Sequence, residues 1–421
     1  MKDVLRSPAR GWLRLRYQIL GCVIVAGVLP YLARRYLGPP AATDQLDITL
    51  LASVLAMAFG AWLAREVSNY PGVEASSYIL PSFCASYGVA ILVLLLGRID
   101  YARFILLSGF IGGVIWFFFL HLRFQSRRTL RMGLVPIGAV SAVRALQGIE
   151  WREMPDPSCD FSGLQAVVVD LRHDMPDAWD RRLADFALAG VPVYHCKHLV
   201  ESMTGRIELE HLSENSFGTL SPMSTYMSFK RAADWVLAAA ALVVLLPFLL
   251  IVAVAVRLDS PGPALFRQVR VGYRGNPFKV YKFRTMTNRP AGEDERASAM
   301  TQAGDARITR LGGFLRRSRI DELPQLINVV RGEMSLIGPR PEAQVLSKWY
   351  EAEIPFYRYR HIVRPGITGW AQVNQGHVAD VHEVTTKLQY DFFYIKNFSP
   401  WLDVLIVTQT IRTMLTGHGA K

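Results

Sequence analysis

Apolar residues fall along this chain in blocks. Four near-continuous blocks come first: Tyr17–Leu32, Leu46–Leu63, Ile79–Gly97 and Arg103–Leu122. Each approaches the ~20 residues that carry a helix across a bilayer, so four transmembrane helices are predicted within residues 1–125. The pattern then changes to short apolar runs separated by helical stretches. Leu134–Val140 reads as a strand and turn, and Leu164–Asp170 and Gly190–Tyr194 as two further strands. Strands alternating with helices predict a parallel sheet, here a small Rossmann-like α/β module over 132–217. A fifth long block, Trp235–Val256, opens the last part of the chain, 228–421. Beyond it, cations alternate with apolar residues in 264–272 and 277–286, on either side of Arg274-Gly275-Asn276, which predicts a β-hairpin. Arg289 to Asp305 is polar and patternless and reads as a mobile loop or lid. Ile308, Leu311, Phe314 and Leu315 share one helical face while arginines occupy the rest, as in a helix lying in a membrane surface. Leu326–Val330 reads as a short buried helix, and Trp401, Val404, Leu405, Ile411 and Leu415 as one face of a C-terminal amphipathic helix. The fold class is therefore membrane α plus α/β.

Composition agrees with a membrane protein: 51% of the 421 residues are hydrophobic and mean hydropathy is +0.19. The first block is no signal peptide, because no small-residue cleavage site follows and three more blocks do. Arginines flank the set at both ends, Arg6 to Arg16 and Arg123 to Arg131. With an even number of crossings, both ends are placed in the cytoplasm, although Arg34, Arg35 and Arg65 blur the rule. The fifth block also has basic flanks, Lys230-Arg231 and Arg257. A true crossing would export the arginine-rich remainder against that rule. Pro247 lies near the middle of the block and removes a helical hydrogen bond. The block is therefore read as a re-entrant helix, 234–256, that breaks at Pro247 and returns to the cytoplasmic side, the alternative being a proline-kinked fifth span. The net charge of +12 suits an anionic membrane surface with a phosphorylated substrate. Nucleic acid is not expected, since no recognition helix or zinc spacing is present. The four cysteines show no metal spacing and no disulfide framework.

The chemistry concentrates around Arg316-Arg317-Ser318-Arg319-Ile320-Asp321-Glu322-Leu323-Pro324-Gln325. Adjacent carboxylates would suit an ordinary helix N-terminus. Beside a cluster of arginines they would also suit phosphoryl chemistry: the arginines hold phosphate groups, and a carboxylate attacks phosphorus or binds Mg²⁺. Arg340, set between Pro339 and Pro341, has a stiff backbone that would preset its guanidinium for an oxyanion. Arg364 to Asn374 is a second loop stiffened by Gly and Pro.

Taken in order, Lys230-Arg231 before the apolar block, Ser260-Pro261-Gly262-Pro263, Lys282 to Met286, Asp321 to Gln325, Met334 to Pro341 and Pro365 to Val373 resemble the bacterial sugar transferase family. These are the monotopic phosphoglycosyl transferases that act on polyprenyl phosphate, here in a long form with N-terminal membrane helices. The resemblance covers Phe229 to about Leu415. It implies transfer of a hexose-1-phosphate from a UDP-sugar to undecaprenyl phosphate, with Mg²⁺, release of UMP and a covalent aspartyl phosphosugar. Asp321 matches the nucleophile and a metal ligand, and Glu322 the second carboxylate. Arg316, Arg340, Lys282 and Arg284 match substrate-phosphate positions, and Pro247 the break in the membrane helix. The chain departs from the pattern at Leu246, where Ser is frequent, and at Arg319-Ile320, where Ser-Leu is common. The resemblance further implies the bacterial inner membrane with a cytoplasmic catalytic domain, a homodimer, and a product that begins an exopolysaccharide, capsule or O-antigen unit. The rival functions are a polytopic transferase without a covalent intermediate and a catalytically inactive scaffold of polysaccharide assembly. The first would need acidic residues deep in the N-terminal spans, and the second sits poorly with an intact Asp321, Glu322 and Arg340.

Overall fold

In the computed structural model, residues 20–37, 43–67, 79–124, 130–160, 162–207, 224–287, 307–375 and 381–416 are described. The expected loop or lid at 289–305 lies wholly outside them. The chain forms two compact units, Met1–Gly205 and Arg206–Lys421.

In the first unit a π-helical segment, Val23–Val28, runs into α1 (Leu29–Leu37), followed by α2 (Thr43–Val67), α3 (Ile79–Leu96) and α4 (Arg103–Phe124). Through most of their length α2, α3 and α4 are apolar all round, as membrane helices are, whereas α1 carries Arg34 and Arg35 in its last turn. Small and polar residues join them: the Ser53 and Tyr87 hydroxyls lie 3.1 Å apart, and the Thr49 hydroxyl accepts from the Ala102 amide at 3.0 Å. Met57, Phe83 and Leu106 fill the space between.

The α/β module follows: β1 (Leu130–Leu134), α5 (Ser141–Arg144), β2 (Ile149–Glu153), β3 (Ala166–Val169), α6 (Asp177–Leu188), β4 (Val193–His195) and α7 (Cys196–Thr204). The strands form one sheet, ordered β2-β1-β3-β4, with every pairing parallel. Val143 of α5 and Leu199 of α7 pack on one face, and Trp179, Leu183 and Phe186 of α6 on the other. A strand covered on both faces is apolar throughout, which is why Ala166–Val169 stood out in the sequence. Two expectations are corrected. The first strand lies over 130–134 rather than 134–140, and the sheet has an additional edge strand, Ile149–Glu153.

The second unit begins with α8 (Ser224–Asp259), which passes through Pro247 as one helix. The expected break at Pro247 is thus corrected to a continuous helix that carries an internal proline. Packing explains the continuity, because both halves are clamped to the same body. Before the proline, Ala238, Ala241, Leu242 and Leu245 pack with Val280, Leu326, Val329 and Met334. After it, Leu249, Val252, Ala253 and Val256 pack with Phe283, Leu311, Leu315 and Ile320. Several tertiary contacts on each side outweigh one lost backbone hydrogen bond. The opposite face is apolar and open, with Val243 and Val244 about three-quarters exposed.

The hairpin forms as expected from β5 (Leu265–Val271) and β6 (Pro277–Phe283), in register Leu265↔Phe283. Arg274 and Gly275 both take left-handed φ in its turn, the combination that matches the strand twist. Next come α9 (Arg310–Arg317), a 3₁₀ turn at Ile320–Gln325, α10 (Leu326–Val330) and β7 (Ser335–Ile337). They are followed by α11 (Gln344–Glu353), a second 3₁₀ turn at Tyr357–Ile362, β8 (Gly366–Thr368), α12 (Trp370–Asn374), α13 (Val381–Lys396) and α14 (Pro400–Thr416). β7 and β8 pair in parallel. A Cβ at Gly366 would strike the Gly338 backbone, so the two stiffened loops meet only because glycine stands there. On α14 the buried apolar side chains are Leu402, Leu405 and Ile406, with Asp403 and Thr408 buried beside them. Of the expected face, Leu405 lies in the core, Trp401 and Val404 are half-buried and Ile411 is exposed.

Candidate active site

The 3₁₀ turn Ile320–Gln325 carries both carboxylates into the body of the second unit. Arg319, in left-handed conformation with φ 58°, reverses the chain just after α9 and directs the turn inward. Asp321 is 8% exposed and Glu322 6%, and charges so buried must be paired or act chemically.

Glu322 is paired on every side. Lys282 Nζ lies 2.9 Å from its Oε1, Arg340 Nη2 2.7 Å, and Arg319 Nη1 3.8 Å. Burial alone would raise this carboxyl, but Arg340 and Lys282 outweigh burial and hold it well below the usual range. Glu322 in turn raises Arg340 further above its already high value. Burial pulls the Lys282 ammonium down to about 8, so it remains a cation at neutral pH.

Asp321 differs. Its Oδ1 is buried and has no hydrogen-bond partner. Burial, with the Glu322 charge added, pushes its carboxyl up to about 6. The neighbouring side chain of Gln325 also carries a buried, partnerless nitrogen, Nε2. Native structures rarely leave such atoms unpaired without cause. A carboxylate with one free oxygen, ionised at neutral pH and set beside fixed cations, can attack an electrophilic phosphorus or accept a metal ion.

The framework behind these groups was not anticipated. Asn328, fully buried in α10, accepts from the Tyr281 amide at 3.1 Å and donates to the Lys279 carbonyl and Glu333 Oε2, both at 2.7 Å. This pins β6 so that Lys282 faces Glu322. The Arg340 carbonyl accepts from Arg360 Nη2 at 2.8 Å, and Arg360 is paired with Asp391 at 2.8 Å. Arg270 donates to the Pro341 carbonyl, and Lys387 pairs with Glu342. The loop 339–342 is therefore held from behind by buried charges. The signal was present in the run Tyr357-Arg358-Tyr359-Arg360-His361, but no spacing rule marks which arginine turns inward.

Of the residues expected at the site, Asp321, Glu322, Lys282 and Arg340 come together. Arg284 does not join them. It is buried against the end of α8, and its guanidinium donates to the carbonyls of Val256 (3.4 Å), Ser260 (2.5 Å) and Pro263 and to the Ser260 hydroxyl (3.2 Å). A fork so occupied closes the helix C-terminus and commits four of its five N–H groups within the chain. Arg316 sits half-buried on α9, and among the described residues it forms no ion pair. Arg319, rather than Arg316, joins Arg340 in bearing on both carboxylates. Pro247 lies within α8, away from the carboxylates.

An apolar helix packed beside buried carboxylates and cations frames this site, and comparison with known proteins gives its family. Residues 225–417 match the family model described as bacterial sugar transferase. The chain is 43% identical over 354 residues to the UDP-N-acetylgalactosamine-undecaprenyl-phosphate N-acetylgalactosaminephosphotransferase of Aeromonas hydrophila, covering 84% of this chain and 83% of the relative. It is 47% identical over 193 residues to the UDP-glucose:undecaprenyl-phosphate glucose-1-phosphate transferase of Caulobacter vibrioides, covering 45% of this chain and 71% of the relative. The Escherichia coli K12 enzyme of the same description is 44% identical over 184 residues, 43% of this chain and 39% of the relative. The first likeness reaches well beyond the catalytic region, through most of both chains, so this chain belongs to the bacterial sugar transferase family.

Proposed function

We propose that this transferase moves a hexose-1-phosphate from a UDP-sugar to undecaprenyl phosphate through a covalent intermediate on Asp321. The observation that carries the proposal is the unpartnered Asp321 oxygen beside a fully paired Glu322. One carboxylate is committed to holding cations and the other is free to react. In the first step an Asp321 oxygen attacks the sugar-bearing phosphorus. The bond from that phosphorus to the bridging oxygen breaks, and UMP leaves. In the second, an oxygen of undecaprenyl phosphate attacks the same phosphorus, and the aspartyl–phosphorus bond breaks to restore the carboxylate. Two displacements replace one difficult transfer. Lys282 and Arg340, oriented by Glu322, lie where they can stabilise charge on the phosphoryl oxygens.

Mg²⁺ fits this donor set in a limited way. Asp321 offers a free buried oxygen, and Mg²⁺ commonly takes one or two carboxylates with the rest of its shell from substrate phosphates and water. Bound there, it would neutralise charge on the diphosphate.

The membrane arrangement belongs to the same proposal. Among the described residues five helices are long and apolar enough to cross a membrane: Leu20–Leu37, Thr43–Ala64, Ile79–Leu96, Arg103–Leu120 and Tyr226–Asp259. The last is proposed to enter and leave on the cytoplasmic side of the inner membrane. Both of its ends are tied to the same polar body, Lys230 to Asp403 at 2.8 Å and the Ser260 carbonyl to Arg284 at 2.5 Å. A straight crossing would carry that body into hydrocarbon. A homodimer is retained as part of the proposal.

The test is UMP release by membranes supplied with undecaprenyl phosphate, Mg²⁺ and a panel of UDP-sugars, beginning with UDP-N-acetylgalactosamine, the donor named for the whole-length relative. Release with one sugar, abolished in Asp321→Asn, is the expected result. Full release by Asp321→Asn would refute the assignment.

A further inference from the structure

A second cationic site lies in the same unit as the carboxylates but does not include them. A cavity of about 430 Å³ opens beside the N-terminal part of α8, and Asp321, Glu322, Lys282 and Arg340 are all absent from its lining. Strand alternation separates the two: Lys282 of β6 points to Glu322, while its neighbour Tyr281 points the other way, to Arg331. Arg231, Arg331 and Arg364 converge on the cavity.

Each arginine is presented rather than consumed. Arg331 stacks on Tyr281, 5.1 Å from the ring centre, and gives one N–H to its hydroxyl at 2.6 Å. Arg364 stacks on Tyr273 at 4.9 Å and gives its Nε–H to the Gly332 carbonyl at 3.1 Å. Among the described residues their remaining N–H groups have no acceptor, and Arg231 has none at all. The acid in the lining, Asp234, is already engaged by Lys230 and by the Ser335 hydroxyl. Lys230 in turn is paired with Asp403. Three arginines thus face one space whose acid is already engaged, and an entering anion would offset their mutual repulsion. Burial and the nearby Arg231 lower the Arg364 guanidinium, as expected for cations crowded together.

The other wall is apolar. Trp235 and Val236 line the cavity and remain half-exposed, and the open apolar face of α8 continues from them through Val243 and Val244. A tryptophan at the head of an apolar helix, beside arginines, is the arrangement of a bilayer interface.

From this we infer that the Arg231–Arg331–Arg364 cavity is an accessory binding site for the phosphate headgroup of an anionic bilayer phospholipid, with the acyl chains running along the open face of α8. The occupant is a non-reacting lipid. An acceptor in transfer must bring its phosphate to the reacting carboxylate, and neither carboxylate lines this cavity. The bound lipid would fix the depth and tilt at which the unit sits in the membrane, and its binding does not depend on Asp321.

The test uses the full chain in detergent micelles, titrated with phosphatidylglycerol and read by native mass spectrometry. Saturable retention of one phosphatidylglycerol is expected. It should weaken by about tenfold or more in Arg231→Gln and further in Arg231→Gln with Arg331→Gln, from the loss of charge-assisted hydrogen bonds. Asp321→Asn should bind it as the unaltered chain does. Undiminished UMP release by Arg231→Gln in micelles free of phospholipid would show that the variant is folded. Equal retention of phosphatidylglycerol by both arginine variants would overturn the inference. So would equal retention of phosphatidylcholine, or displacement by inorganic phosphate or by equimolar undecaprenyl phosphate, since each would assign a different occupant or none.

Discussion

Asp321 and Glu322 are adjacent in sequence and opposite in character. Three cations keep Glu322 ionised, while Asp321 lacks a partner at Oδ1 and is raised to about 6. Two consequences follow for Asp321. UMP release should fall on the acid side with an apparent midpoint near pH 6, because the attacking form is the carboxylate; a rate unchanged from pH 7.5 to pH 5 would contradict this. The second consequence concerns stability. The folded pKa lies above the unfolded value, so stability is fully present below the unfolded pKa and is lost as pH rises toward about 6. Asp321→Asn should therefore stabilise the chain at pH 7.5 by on the order of 1–3 kcal/mol, read as a raised thermal midpoint, while abolishing transfer. An unchanged or lower midpoint would mean that the burial cost is met elsewhere. At this scale the sequence was informative about charge and poor about direction. Asp321, Glu322 and Arg340 could be picked out because their types and neighbours suit phosphate chemistry, and Lys282 only through the family resemblance. Arg284 was misplaced and Arg319 undervalued, since a guanidinium looks the same in sequence whether it faces a substrate or three carbonyls of its own chain.

Elements hold these residues in place, and two of them invite tests. Asn328 of α10 makes three hydrogen bonds at zero exposure, two to β6 and one to Glu333. Asn328→Ala would leave buried partners unpaired and should cost roughly 2–4 kcal/mol of stability, lowering the thermal midpoint measured in detergent. Arg284→Ala should be at least as costly, on the order of 3 kcal/mol, because it opens the end of α8; a stable variant with weakened UDP-sugar binding would instead return Arg284 to the phosphate site. For α8 itself, a cysteine at the exposed position Phe229, ahead of the apolar block, should label from the same side of the membrane as a tag after Lys421. Labelling from opposite sides would make the helix a span. The hairpin was legible because alternation around Arg274-Gly275-Asn276 is a local signal. Continuity through Pro247 was not, because it rests on packing of both helix halves against residues far away in sequence. The edge strand Ile149–Glu153 was missed because only Ile149 and Trp151 pack inward, which leaves too short an apolar pattern to notice.

At the scale of the molecule, the apolar N-terminal helices and the parallel sheet after them were readable from block length and alternation, since a bilayer and a two-sided sheet each impose their own apolar run. The identity of the sugar was not, because no motif encodes its contacts. The central claim is that Asp321 carries the phosphosugar, and intact-mass measurement tests it most directly. The purified chain would be given its UDP-sugar and Mg²⁺ without undecaprenyl phosphate. The account predicts one hexose-phosphate adduct per active chain, located on Asp321 by fragmentation, absent in Asp321→Asn, and discharged when undecaprenyl phosphate is added. Turnover with no adduct at any time, or an adduct on another residue, would contradict it.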